Sequence, residues 1–191
     1  MVPRCEAIAS WGTAFKLNHP KQTGGIWKES QLHVFTDGGG GAEPTGNLIF
    51  DAGGSLYGTA QGGNRSGGGI AFQLTADNRG AWKETVLHWF SNNGPGAFIA
   101  GLTFDSSGNL YGPTDEGALF RGTVVRLKRS ARQSGMWAPS IIYTFQGSPD
   151  GAGPAARLIF NAAGSLYGTT QAGGTGQACQ GGCGTVYELS R

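Results

Sequence analysis

Carboxylate and amide side chains recur in the glycine-rich segments of this chain, where ligand contacts or acid–base chemistry would be concentrated. The five candidates are Asp37, Asn93, Asp115, Glu116 and Asp150. Two carboxylates about 5 to 10 Å apart would suit polysaccharide cleavage, and a carboxylate with backbone carbonyls could hold Ca²⁺. However, no short run supplies the further oxygen ligands of a calcium site, and Asx–Gly pairs initiate tight turns. We therefore predict ligand contacts at these residues and assign neither a catalytic nor a metal-binding role.

Two of the three cysteines, Cys179 and Cys183, enclose the tripeptide Gln-Gly-Gly. A gap of this length brings two Cα atoms within disulfide distance, so the sequence predicts a small disulfide loop. A disulfide fits an oxidising, extracellular setting. A zinc site would need about four ligands, and a thioredoxin-type redox pair has a shorter gap, so both alternatives fit less well. Cys5 is left without a partner by count.

The histidines are interpreted as packing or solvated residues. His33 and His88 occupy matching positions in the segments QLHVF and VLHWF, and Tyr143 takes that position in IIYTF. We expect these positions to lie on the outer strands of separate repeats, too far apart to converge on one metal ion or substrate. His19 falls in NHPKQTGG, a predicted turn.

These side chains are carried by a repeat of about 55 residues. Four short apolar runs, separated by Gly, Asn, Asp and Ser, extend over residues 48–90 and again over 101–145. Such runs predict strands, named here a, b, c and d. Residues 12–35 hold only c and d, and residues 157–189 hold only a, b and c. Thirteen strands are thus predicted, in a single domain over residues 1–191.

The connection between strands a and b has the sequence of a tight turn. An Asp or Asn ends each a strand and a glycine follows three residues later, in the pairs Asp51–Gly54, Asp105–Gly108 and Asn161–Gly164. The Asx side chain accepts a backbone N–H, and the glycine takes the positive φ that closes the hairpin. We expect the tyrosines that follow, at positions 57, 111 and 167, to fill space between neighbouring sheets.

Four strands per repeat are typical of a β-propeller blade, whereas a solenoid coil needs only about 20 to 30 residues. Apolar residues on both faces of strands a and b indicate a sheet sandwiched between other sheets. We predict an all-β fold: a β-propeller or partial propeller of four-stranded antiparallel blades, with about 3.5 repeats. An open arc, a four-blade or three-blade ring, and a ring shared by two chains all stay open as arrangements.

The repeat resembles a known family. GLTFDSSGNLYG, SLYGT, GTVVRL and WKETVLHWF together are similar to the tandem repeat of bacterial choice-of-anchor proteins that contain the GloVer repeat, and more loosely to NHL- and WD40-like propeller repeats. The resemblance extends from about Gly12 to Leu189. It implies a secreted or surface-anchored bacterial protein with many tandem copies, and it brings no catalytic residues. With two complete repeats and two partial ones, the chain is expected to be a fragment of a longer protein, with no leader of its own.

The charge and hydropathy of the chain limit the classes of molecule that it can be expected to bind. The net charge of +2 and the pI near 8.5 are too mild to indicate nucleic acid or an anionic membrane as a partner. No apolar run approaches the roughly 20 residues that span a bilayer. The predicted partners are a glycan or protein ligand, and further copies of the chain joined through open blade edges.

The absence of a convergent acid, base or nucleophile favours a binding function. We expect a non-enzymatic secreted or cell-surface module that binds a glycan or protein through its Gly-rich d–a and b–c loops, which emerge on one face. The alternative is a propeller-type lyase or hydrolase acting on a polysaccharide or a small lactone. That alternative requires the carboxylates among the five candidates to converge at the mouth of a channel.

Overall fold

The computed structural model describes residues 11–36, 39–62, 67–91, 100–114, 121–130, 135–176 and 178–190. Over these ranges every helix or strand element is a β-strand, so the all-β class is confirmed. The same ranges contain no helix with the length and apolar character needed to cross a membrane.

Fourteen strands are described, in four antiparallel sheets. Sheet 1 holds β1 (Thr13–Asn18) and β2 (Lys28–Val34). Sheet 2 holds β3 (Ala42–Phe50), β4 (Leu56–Gly62), β5 (Gly67–Ala76) and β6 (Trp82–Ser91). Sheet 3 holds β7 (Thr103–Phe104), β8 (Leu110–Thr114), β9 (Thr123–Arg129) and β10 (Trp137–Thr144). Sheet 4 holds β11 (Gly151–Pro154), β12 (Ile159–Phe160), β13 (Leu166–Gly173) and β14 (Thr185–Leu189).

Sheets 2 and 3 are meanders in which each strand pairs with the next, as the a–b–c–d order predicts. Sheet 4 differs from the prediction because β11 lies in the segment predicted as the d–a loop; a break separates it from strand a (β12), and the two pair with different parts of β13. The break falls after Pro154. In β3, the register shifts at the corresponding place, between Thr45 and Ile49. Pro44 and Pro154, which lack an N–H, stand beside these two irregularities.

Three apolar clusters join the sheets in chain order. They comprise Ala14, Phe35, Phe72 and Leu74 between sheets 1 and 2; Tyr57, Leu87, Leu110 and Leu127 between sheets 2 and 3; and Tyr111, Val124, Leu158 and Leu166 between sheets 3 and 4, with further neighbours in each. Each sheet thus has a front face, toward the sheet before it in the chain, and a back face, toward the sheet after it.

The alternation of a strand explains how one sheet serves two clusters. In β5, Phe72 and Leu74 lie on the front face and Ala71 lies on the back face. The glycine of the Leu-Tyr-Gly motif is needed for close packing, because a Cβ on Gly58 would lie 2.6 Å from Cζ of Phe72. The recurring five-residue motif is therefore a packing and turn unit.

Candidate ligand-binding site

The a–b turn of sheet 2 is held by both carboxylate oxygens of Asp51. Oδ1 accepts the backbone N–H groups of Gly53 and Ser55, each at 2.9 Å, and the backbone N–H of Gly54 donates to the Asp51 carbonyl at 3.2 Å. Gly54 has a φ of +83°, which favours glycine. Burial acts to raise the pKa of Asp51, but hydrogen bonds from Ser55, Tyr57 and Gly53 outweigh it and lower the pKa. The predicted Asx turn is confirmed.

The second oxygen of Asp51 fixes the tyrosine of the motif. The Tyr57 hydroxyl donates to Oδ2 at 2.9 Å and accepts from Nε2 of Gln73 at 2.8 Å. The Tyr57 ring is fully buried and lies edge-on to Phe104 of sheet 3, with ring centroids 5.0 Å apart. Burial, and then the bond to Asp51, raise the Tyr57 pKa. The aromatic residue predicted to fill the space between sheets therefore also ties the turn to the core.

An open cleft of about 620 Å³ lies beside this turn, between the a–b turns of sheets 2 and 3. We call it the sheet 2/3 cleft, and its lining includes Tyr57, Phe104, Asp51, Asp105, Asn109, Lys128 and Arg129. Arg129 lies at the end of β9, with Nη2 3.4 Å from the Tyr57 hydroxyl and Cζ 5.2 Å from the ring centroid of Trp137. The cleft thus combines an aromatic base with carboxylate, amide and cationic groups.

A smaller cleft of about 270 Å³ repeats this arrangement between sheets 3 and 4. Tyr111 lies edge-on to Phe160 at 5.1 Å, and its hydroxyl donates to Oδ2 of Asp105 at 3.1 Å. Asn161 takes the place of the aspartate in sheet 4, and its amide donates to the Tyr167 hydroxyl at 3.2 Å. Among the described residues, no Lys or Arg lines this second cleft. The edge-on contact between a tyrosine and a phenylalanine therefore recurs at both interfaces, whereas the charged side chains that line the two clefts differ.

Of the five predicted ligand residues, only Asp150 lies within the described ranges. Its Oδ2 accepts the Tyr143 hydroxyl at 3.0 Å and the Gln146 backbone N–H at 2.9 Å, so its carboxylate serves its own loop. Asp37, Asn93, Asp115 and Glu116 fall outside the described residues. Within the described ranges, no three His, Cys, Asp or Glu side chains form a group that could hold a metal ion.

The predicted disulfide between Cys179 and Cys183 is confirmed, with Cα atoms 5.2 Å apart. It closes the b–c loop of sheet 4. That loop is joined to the preceding d–a loop, because the Gly174 N–H donates to the Asp150 carbonyl at 2.7 Å and the Ser148 hydroxyl donates to the Gly174 carbonyl at 2.9 Å. Two glycine-rich loops are thereby linked into one surface. Cys5 is outside the described residues.

Sequence reasoning missed an acid–base pair between sheets 1 and 2. Nε2 of His33 on β2 lies 3.0 Å from Oε2 of Glu84 on β6, so the outer strands of neighbouring sheets do meet. Burial raises the pKa of Glu84 to about 7 and lowers that of His33. His88 instead hydrogen-bonds to the backbone of Trp137. The sequence carries one sign that Glu84 is not simply a repeat residue. At the matching position of the next repeat, residue 139, a proline replaces the glutamate.

No protein-family model matches this chain, and no curated protein matches it significantly.

Proposed function

We propose that this chain is a non-enzymatic, secreted or cell-surface module of β-propeller type whose sheet 2/3 cleft binds a glycan. The observation that carries the proposal is the composition of that cleft, an aromatic base under polar groups of balanced charge. Ligand sites are typically concave and mainly apolar, with a few polar groups that fix orientation.

The chemistry of a sugar matches this lining. Sugar C–H faces pack on accessible aromatic surfaces such as Phe104 and Phe50, which also lines the cleft and is 66% exposed, and sugar hydroxyls both donate and accept hydrogen bonds. Asp51 offers an acceptor, while Arg129 and Lys128 offer donors. Of the described residues, two carboxylates and two cations line the cleft, and their formal charges cancel. This balance favours a neutral polyhydroxy ligand over a phosphorylated or strongly anionic one.

The two aspartates differ in how much acceptor capacity is left. An ionised carboxylate has about four acceptor positions. Asp105 accepts from two backbone N–H groups, from the Asn109 amide and from Tyr111, which occupies about that number. Asp51 accepts from Gly53, Ser55 and Tyr57. A ligand hydroxyl would therefore bind at Asp51 in preference to Asp105.

The architecture and the disulfide support the other parts of the proposal. Four-stranded meanders packed face to face in chain order are the arrangement of propeller blades. The Cys179–Cys183 disulfide is consistent with an oxidising, extracellular location.

The test is calorimetric titration with a panel of neutral oligosaccharides, comparing the parent chain with Arg129→Gln. We expect at least a tenfold weaker Kd for the variant, equivalent to about 1.4 kcal/mol. Arg79→Gln is the matched control, because Arg79 lies in the exposed c–d turn of sheet 2, away from the cleft. Unchanged affinity in Arg129→Gln would contradict the proposed site.

The linked d–a and b–c loops are the other proposed contact surface, as the sequence predicts. Ala152→Arg, on the d–a loop strand β11, tests it within the same titration. Loss of affinity in this variant, with Arg129→Gln unaffected, would move the site to the glycine-rich face. Binding of a protein ligand with no saccharide response would change the ligand class.

A lyase or hydrolase is the second candidate, and the His33–Glu84 pair is the observation that favours it. A carboxyl with a pKa of about 7 beside an imidazole can exchange a proton near neutral pH. Turnover of a polysaccharide or lactone that disappears in Glu84→Gln but persists in Glu29→Gln would support this function. Glu29 holds the same repeat position in sheet 1 and is exposed. Saturable binding without turnover would exclude it.

A further inference from the structure

The front face of sheet 1 exposes residues that the repeat buries elsewhere. Phe72 and Leu74 of sheet 2 are fully buried against sheet 1, and so is the equivalent Leu127 against sheet 2. Their counterparts in sheet 1, Phe15 and Leu17, are each 51% exposed. Trp27, the counterpart of the buried Trp137, is exposed as well. The front face of sheet 1 therefore carries the apolar residues of an interface, but no neighbouring sheet in the described part of the chain covers them.

The back face of sheet 4 shows the complementary pattern. Ala71 and Val124, on the back faces of sheets 2 and 3, are fully buried against the sheets that follow. Val186 holds the same repeat position in sheet 4 and is 80% exposed. Ile159 is 60% exposed, whereas its counterpart Ile49 packs against the cluster between sheets 2 and 3. The sheet 4 back face is thus the other half of the same kind of interface.

The internal interfaces show which faces fit together. Each of the three joins a back face to a front face. In strand c, the back-face residue of each internal interface is smaller than the front-face residue of the same cluster: Ala14 with Phe72, Ala71 with Val125, and Val124 with Tyr187. Two front faces would place large side chains against each other, and two back faces would leave gaps, both of which cost packing energy.

We propose that the sheet 1 front face of one chain packs on the sheet 4 back face of a second copy, as a fourth interface of the repeat. We assign a second copy of the chain to the sheet 1 front face for one reason. The back face of sheet 4 carries the same residue types, Val, Tyr and Ile, that pack on a front face at the internal interfaces. Such an interface is heterologous, so association proceeds head to tail and ends in a ring if the rotation closes, or continues as an open filament if it does not. It is independent of the glycan proposal, because neither Phe15 nor Val186 lines the sheet 2/3 cleft.

The test uses two single variants, Phe15→Lys and Val186→Lys, each of which blocks one of the two faces. Light scattering should show the parent chain rising to at least twice the 19.7 kDa of one chain as concentration increases. Each variant alone should stay at the mass of one chain. An equimolar mixture should form a one-to-one dimer and grow no further, because each variant retains the face that the other lacks.

Other outcomes overturn the proposal in distinct ways. Dimers of Val186→Lys alone would indicate pairing through two front faces, and dimers of Phe15→Lys alone would indicate pairing through two back faces. A parent chain that stays monomeric at every concentration would mean that these faces do not bind a second copy. Circular dichroism checks folding, and Ile141→Lys is the control, since Ile141 is 45% exposed but lies on sheet 3. This control should associate like the parent.

Discussion

Sheets 2 and 3 each have a neighbouring sheet on both faces, whereas sheets 1 and 4 each have one on a single face, although all four are built from the same repeat. Phe72 and Phe15 hold equivalent positions, and one is buried while the other is half exposed. The difference teaches that burial in this fold is set by position in the array and not by residue type. Each sheet is stabilised by its neighbours, as in other repeat architectures.

The largest expected effect comes from replacing the phenylalanine of one repeat position by alanine in sheet 2 and, separately, in sheet 1. Phe72→Ala should lower the free energy of unfolding by about 3 to 5 kcal/mol, because it leaves a cavity in a closed interface. Phe15→Ala should lower it by less than about 1 kcal/mol in dilute solution, where that face meets solvent. Urea denaturation measures both. Equal losses would show that the two faces are equally covered.

The disulfide of sheet 4 provides the next test, since this sheet has a neighbour on one face only. Replacing both Cys179 and Cys183 by Ser should cost about 2 kcal/mol, because the closed loop is short. Hydrogen exchange should become faster in β13 and β14 while β5, in the doubly covered sheet 2, keeps its protection. Uniformly faster exchange in all sheets would argue against a locally stabilised end.

Tyr57→Phe and Tyr167→Phe remove the hydroxyl of the same repeat position in two sheets. Sheet 3 packs over Tyr57, whereas no sheet of the described ranges follows the one that contains Tyr167. The Tyr57 hydroxyl bonds to Asp51 and Gln73 beside a buried ring, so its loss should cost about 1 to 2 kcal/mol. The Tyr167 hydroxyl accepts from Asn161 in an exposed pair, and its loss should cost less than about 0.5 kcal/mol. Thermal unfolding of the two variants measures the difference. A larger effect at Tyr167 would reverse the comparison.

Glu84 should give the sheet 1/2 interface a loss of stability with rising pH that the sheet 2/3 interface lacks, because Pro139 stands at the matching position. Folding raises the Glu84 pKa from 4.5 to about 7, so the folded state favours the protonated form. Its contribution to stability is therefore present below pH 4.5 and is lost as the pH rises through 7.

Unfolding titrations between pH 4.5 and 8 measure this effect, which should be on the order of 1 kcal/mol after screening by solvent. Glu84→Gln should remove that loss. Burial of His33 acts in the opposite direction, losing stability as the pH falls, and it is present in both proteins. Glu29→Gln is the control and should titrate like the parent. A parent that gains stability over this range relative to Glu84→Gln would contradict the assignment.

Much of the fold could be predicted from the sequence because its signals are local. Alternating apolar runs and glycine spacing predict the meander, and Asp51 and Gly54 predict the a–b turn from their side-chain chemistry. The Cys179–Cys183 bridge follows from the reach of a three-residue gap. Each of these features depends on residues near one another in the chain.

The rest depends on how distant sheets pack. The contact of His33 with Glu84 and that of Tyr57 with Phe104 cross between sheets, and no short-range pattern encodes them. The formation of β11 in the predicted d–a loop likewise depends on its pairing with β13. The polar lining of the sheet 2/3 cleft was missed because its aspartates were interpreted as turn residues. They hold the turn and line the cleft at the same time.

Hydroxyl-radical footprinting in dilute solution tests most directly whether the array has two uncovered ends. Phe15 and Trp27, on the sheet 1 front face, should be oxidised at least several-fold faster than their repeat counterparts Phe72 and Trp137, which are buried. Equal protection of all four side chains in dilute solution would mean that the sheet 1 front face is covered within the chain, and the account of an array with two free faces would be wrong.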